Sequence, residues 1–363
     1  MSSRRTAPAL FAGAATLLLL GSASATAAPA HADHHATLRA LAAPHDLKVG
    51  TAVDVSALSD DTAYRAVAGS EFNSVTAENV MKWEVVEPTR GTYDWSQADE
   101  LVDFARRHHQ SVRGHTLLWH NQLPAWLTSG VADGSIDAPE LRRILRDHIT
   151  AEVKHFKGRI YQWDVVNEIF EEDGSYRDSL WLRTLGPSYV ADAFRWAHAA
   201  DPKAKLFLND YNVEGINAKS TAYYDLAKKL RAQGVPVQGL GIQGYLDIQY
   251  GFPADVEQNL ERFAALGMQT AFTEVDVRMN LPAGDTERAR QADDYRRLLD
   301  ACLAVRSCTS FTVWGFTDKY SWVPGTFPGQ GAANILDENF VAKPAYTALA
   351  DELKTTRRTG HRP

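Results

Sequence analysis

Between residues 45 and 353, a short apolar run rich in β-branched residues is followed eight times by a longer stretch with apolar residues at helical spacing. No Pro/Ser/Gly-rich linker or low-complexity block breaks the series. Candidate strands fall at 47–53, 72–76, 111–117, 160–166, 205–209, 237–243, 270–275 and 309–315. Amphipathic helices fall between them, for example at 96–109, 140–156, 217–233, 253–266 and 286–304, and Pro344 opens a last helix over 344–354. Strands covered on both faces read as unbroken apolar runs, and eight β/α units in a row favour closure over an open doubly wound sheet. The fold class expected is α/β, a single-domain (β/α)8 TIM barrel over 45–353, with its chemistry at the carboxyl ends of the strands.

The two ends lie outside that pattern. Arg4 and Arg5 precede an apolar stretch from Leu10 to Leu20 and small residues with A-x-A-like sites, among them Ala30-His31-Ala32 and Ala25-Thr26-Ala27. That is the layout of a secretory signal peptide over 1–32, and the stretch is shorter than the ~20 residues that span a bilayer. Thr6-Ala7-Pro8 lacks the apolar residue that follows a twin-arginine pair, so the export route stays open. Residues 33–44 are expected to be a flexible mature N-terminus and 354–363 a polar C-terminal tail, on a secreted, extracellular monomer. Loss of Arg4 and Arg5 takes the net charge from −7 to about −9, which disfavours nucleic acid and anionic membranes but not a neutral polymer. Cys302 and Cys308, just ahead of the last strand, are expected to form one small disulfide in an oxidising compartment. No His or Cys cluster lies nearby to suggest a metal site.

The strand ends carry the chemistry. Trp163-Asp164-Val165-Val166-Asn167-Glu168 is an apolar run that stops on an amide and an acid, and Thr270-Ala271-Phe272-Thr273-Glu274-Val275-Asp276 repeats the shape 106 residues later. Other ends bring Glu78, Asn79 and Lys82; His115, Trp119, His120 and Gln122; Asn209 and Tyr211; Gln243 and Tyr245; and Trp314 and Trp322. A ring of amides, acids and indoles suits a sugar, whose hydroxyls need fixed hydrogen bonds and whose C–H faces stack on aromatics.

The segments Thr76–Trp83, Gly114–Gln122, Trp163–Glu168, Asn209–Asn212, Thr273–Asp276 and Val313–Trp322 resemble, in order, the signature segments of glycoside hydrolase family 10. That family consists mainly of endo-1,4-β-xylanases with a (β/α)8 barrel and a retaining mechanism. The resemblance implies that Glu168 is the acid/base and Glu274 the nucleophile. It implies that Asn167 bonds the sugar 2-hydroxyl and that Glu78, Asn79 and Lys82 form the polar wall of the glycone side. His115, Trp119, Gln122, Gln243, Trp314 and Trp322 match the walls around the cleaved bond, and Tyr211 an aromatic on the leaving-group side. The implied partners are xylan and xylo-oligosaccharides, with no cofactor and no metal. Glycosidic cleavage needs a proton for the leaving oxygen and a carboxylate at the oxocarbenium-like centre, with the two carboxyls about 5–5.5 Å apart when configuration is retained. Repulsion from an ionised Glu274, with partial desolvation, is expected to keep Glu168 protonated at the start.

One position departs from the pattern. The family usually has histidine where this chain has Tyr245, bonded to the nucleophile and acting with the acid equivalent to Asp276. A phenol donates one hydrogen bond but lacks a second ring nitrogen. Tyr245 is expected to donate to Glu274 or Asp276, with hydrolysis surviving at a shifted pH profile. The alternatives are a barrel glycosidase acting on another β-glucan, or a weakly active or non-catalytic xylan-binding barrel. Gly239-Leu-Gly241-Ile-Gln-Gly244 fits the spacing of a dinucleotide-binding loop, but its glycines sit inside a strand.

Overall fold

The computed structural model describes residues 36–356. The expected signal peptide, and the tail from residue 357 onward, lie outside them. Eight parallel strands close a barrel: β1 (Lys48–Val53), β2 (Ser74–Ala77), β3 (Ser111–Gly114), β4 (Ile160–Asn167), β5 (Lys205–Asp210), β6 (Gly239–Ile242), β8 (Gln269–Asn280) and β9 (Cys308–Val313). β9 pairs with β8 on one side and β1 on the other, which seals the ring. Two short strands decorate the mouth: β7 (Tyr245–Asp247) runs parallel to β8, and β10 (Gln330–Gly331) pairs with it antiparallel. The strands bury nearly every residue, Val165, Val166, Leu206, Leu208, Leu240 and Phe272 all being fully enclosed. This is why they read as continuous apolar runs.

Helix starts follow local chemistry. Asp137 accepts the Glu140 amide at 2.9 Å and Pro139 occupies the first turn, so the helix expected from 140 begins two residues earlier, as Ala138–His155. Asn217 and Ser220 exchange side-chain-to-backbone bonds in a capping box at the head of Ala218–Ala232.

Several boundaries move. The strand expected at 72–76 starts at Ser74, because Phe72 closes the helix Thr62–Glu71. The strand expected to reach 117 stops at Gly114, where a Cβ would lie 2.1 Å from the Trp163 ring. The mature N-terminus is not loose once it enters the described residues. Leu38–Ala42 is helical, Leu38 and Ala42 are fully buried, and Leu38 N–H donates to Glu71 at 3.0 Å. Leu38, Leu41 and Ala42 present one apolar stripe, and this helix packs on the last one, Pro344–Thr355. That last helix runs to Thr355, one residue past its expected end and into the expected tail. Cys302, near the end of helix Asp285–Ala304, is bonded to Cys308 at the start of β9.

Candidate active site

Glu168 follows the last residue of β4 in the left-handed region, φ 57°, and its amide donates to the Asn209 carbonyl at 2.9 Å. A non-glycine residue held there costs on the order of 1–3 kcal/mol, and such strain clusters at functional sites. From that turn the Glu168 carboxyl meets Trp119 with one oxygen and Gln243 with the other. Glu274 lies inside β8, 3 % exposed.

Amides join the two acids. Gln243 Nε2 lies 3.2 Å from Glu168 Oε1 and 3.2 Å from Asn167 Oδ1. Asn209 Nδ2 donates to Asn167 Oδ1 at 2.8 Å and to Glu274 Oε1 at 2.7 Å. On its other oxygen, Oε2, Glu274 accepts from the Tyr245 hydroxyl at 2.6 Å. Of the two acceptors expected for that phenol, it takes Glu274. Asp276 instead accepts from Trp322 Nε1 at 2.7 Å, and its other oxygen is buried without a partner.

Burial pushes the Glu274 carboxyl above its usual range. The neighbouring His115 and Arg113 and the Tyr245 hydrogen bond pull against that rise, while Asp164 adds to it. Burial likewise raises the Tyr245 phenol, and the carboxylates beside it add to the rise, so it remains a proton donor.

The expected walls assemble around this pair. Trp119 Nε1 donates to Glu168 Oε2 at 2.8 Å, and the Lys82 ammonium sits 5.0 Å from the centre of a Trp119 ring. Lys82 donates to Asn79 at 2.9 Å, and Gln122 reaches Asn79 at 3.4 Å and Glu84 at 3.1 Å on the rim. Burial raises Glu78 to about 7, with Asp54 adding to the rise and Lys82 opposing it. His115 meets Trp314 edge-on at 5.3 Å between ring centres, and Tyr245 and Trp322 pack at 5.1 Å. His120 is half-buried, with Nδ1 3.9 Å from Glu168 Oε2 and no hydrogen bond on that nitrogen. Tyr211 accepts from Arg177 at 2.8 Å, and the Lys219 ammonium stands 3.5 Å from its ring centre. Arg177 also donates to the Glu168 carbonyl at 2.8 Å, which brings the Tyr211 wall up to the acid.

Beneath the acids lies a further layer. Arg113 and Asp164, both fully buried, form a salt bridge inside the barrel. Asp164 also bonds His115 Nδ1 at 2.9 Å, and that nitrogen lies 3.7 Å from Glu274 Oε1. Asn209, read among the strand-end residues but given no role of its own, is the direct partner of Glu274. The signal for the layer was present: an arginine in Ser111-Val112-Arg113-Gly114 and an aspartate in Trp163-Asp164-Val165 are charges inside otherwise apolar strands. His115, Asp164 and Glu274 lie close enough together to hold a cation, but the Arg113 guanidinium already supplies positive charge there. Bonded amides thus link two carboxyls at the strand ends, one able to give a proton and the other to act as a carboxylate.

The model of glycosyl hydrolase family 10 matches residues 37–352. An endo-1,4-beta-xylanase of Agaricus bisporus is 46% identical over 304 residues, covering 83% of this chain and 90% of that protein. Endo-1,4-beta-xylanase B of Thermotoga neapolitana is 44% identical over 319 residues, covering 86% and 90%. Among solved structures, xylanase 10B of Thermotoga petrophila in complex with xylobiose superposes with a TM-score of 0.85 at 43% identity, covering 89% of this chain and 99% of that one.

Proposed function

The chain belongs to glycosyl hydrolase family 10, and from that premise we propose that it is an endo-1,4-β-xylanase working by double displacement. The observation that carries this reading is the run of amides linking Glu168 to Glu274, together with the donors on both Glu274 oxygens. Glu168 gives its proton to the leaving glycosidic oxygen while Glu274 bonds to the anomeric carbon, forming a glycosyl-enzyme. The C–O bond to the leaving chain breaks with that proton. Glu168, now ionised, then takes a proton from water, and the hydroxide oxygen displaces Glu274, restoring both groups and the configuration. Asn167 holds the sugar 2-hydroxyl, Glu78, Asn79 and Lys82 the glycone, and Tyr211 the leaving chain. Residues 1–32 direct export.

The test is the product profile from xylan and from cellulose, run beside Glu168→Gln and Glu274→Gln. Internal cleavage of xylan is expected, with Glu168→Gln reduced roughly 10²–10⁴-fold and Glu274→Gln inactive. A fluorinated xylobioside is expected to leave a covalent adduct on Glu274. Binding of xylo-oligosaccharide without turnover or adduct would reduce the site to a sugar cradle.

A further inference from the structure

Behind the Lys82–Trp119 wall lies a titratable cluster that the proposed reaction does not use. Helix Ala138–His155 buries His148 and Glu152 one turn apart, each fully enclosed. Glu87 accepts from Trp83 Nε1 at 2.9 Å and from the Gly91 amide at 2.8 Å, and its Oε2 lies 3.1 Å from His148 Nδ1. That contact puts the ring proton on Nδ1 and leaves Nε2 an acceptor. Nε2 faces Glu152 Oε2 at 3.4 Å, and neither atom has a hydrogen-bond partner. Two acceptors cannot face each other dry, so one proton lies between them.

Two arrangements hold that proton: an ion pair, or a neutral carboxyl donating to a neutral ring. Nothing donates to the other Glu152 oxygen, so an anion there would be poorly compensated. Burial lowers His148 and raises Glu152; the charge on Glu87 adds to the rise of Glu152, and its bond and charge oppose the lowering of His148 without reversing it. Tyr93, which feels the charges of both Glu87 and Glu152, supplies no positive charge.

The cluster connects to the acid/base. Trp83 stacks on His148 at 3.6 Å between ring centres and 5°, and Trp181 stacks on Trp83 at 5.5 Å and 18°. Trp181 Nε1 donates to the Trp119 carbonyl at 2.8 Å, and Trp119 Nε1 donates to Glu168 at 2.8 Å. We propose that Glu152 is a neutral acid whose hydroxyl donates to His148 Nε2, and that this buried bond is a positioning element for Glu168. It locks the tautomer that holds Glu87 and Trp83, and the indole stack transmits that rigidity to Trp119. The positioning role rests on the function proposed above; the proton assignment does not.

The test compares Glu152→Gln, whose amide N–H still donates to Nε2, with Glu152→Leu, which does not. In ¹⁵N-histidine spectra, the ring resonance perturbed by both variants is expected in the wild type to be the neutral Nδ1–H tautomer, unchanged between about pH 5 and pH 8. An imidazolium there overturns the assignment. On folded protein, Glu152→Leu is expected to lower kcat for xylo-oligosaccharides on the order of tenfold with KM nearly constant, and Glu152→Gln to restore it. If Glu152→Leu lowers only the thermal midpoint and keeps kcat, the cluster is structural and the positioning role falls. A wild type that never cleaves xylan overturns the proposed function, and the positioning role with it, while the tautomer result still decides the proton assignment.

Discussion

Tyr245 has one proton to give and gives it to Glu274. A donor to the ionised carboxylate favours the charged form that attacks, and this bond is among the forces holding the nucleophile down against burial. Tyr245→Phe removes the donor and leaves Glu274 Oε2 buried with one partner fewer. Hydrogen bonds to charged groups are worth about 1.5–3 kcal/mol, so kcat/KM should fall roughly 10–100-fold. Because the Glu274 pKa then rises, the acid limb of the pH–rate profile moves to higher pH; a limb that stays in place would show that the phenol does not set the nucleophile's charge. Tyr245→His adds a second ring nitrogen beside Asp276, whose free oxygen is buried and unpaired. The curve should move again, and an unchanged curve would mean that Tyr245 is a spacer. The acids, amides and indoles of this site were legible because they stand where apolar runs end. Arg177 and Lys219 were not, since each reaches Tyr211 from a separate segment with no local pattern to mark it.

The barrel's strands were legible because burial on both faces writes an apolar run into each, as in Leu206–Leu208 or Ala271–Phe272. Their ends were less so, because partners distant in sequence decide them. β8 continues to Asn280, past the run that ends at 275, only because β7 and β10 supply pairing on either side of its extension. Gly244 makes β7 possible: with φ 79° it turns the chain after Gln243 and sets Tyr245 opposite Asp276. The N-terminal helix was read as loose because it packs on the last helix, more than 300 residues away; in the turn just after it, His45 Nε2 meets the Leu353 carbonyl at 2.8 Å. The cysteine pair was read from compartment and spacing. Its six-residue separation closes a short loop, so the chain-entropy contribution is on the order of 2 kcal/mol. Replacing both cysteines by alanine should lower the thermal midpoint by roughly 3 °C. Activity should be unchanged, because Cys308 begins a strand whose other end faces the site. Loss of activity in the still-folded variant would mean that the crosslink reaches the barrel mouth.

At the scale of the molecule, folding hides several carboxyls. Burial raises Glu214 and Asp276 to about 7, and pushes Glu152 and Glu274 upward as well. In the unfolded chain such groups release their protons near about pH 4. Between about pH 4 and about pH 7 the folded chain therefore binds more protons than the unfolded one. Stability is full at the lower end of that window and is lost as pH rises through the folded values. Asp61, held low by Lys319, has the opposite sign, but it releases its proton below the window. Each ionisation also adds negative charge to a chain already at −7. His148 and His120, which burial lowers, act the other way below about pH 6.5, but the raised carboxyls outnumber them, so the thermal midpoint should fall on balance from about pH 5 to about pH 8, most clearly above about pH 6.5. Glu214→Gln is a sharp check, because an amide oxygen can still accept the Gly244 N–H, bonded at 3.0 Å, yet carries no proton to lose. Its slope of midpoint against pH should be shallower than that of the parent. Equal slopes would mean that Glu214 is already ionised in the fold, its charge met by donors other than Gly244.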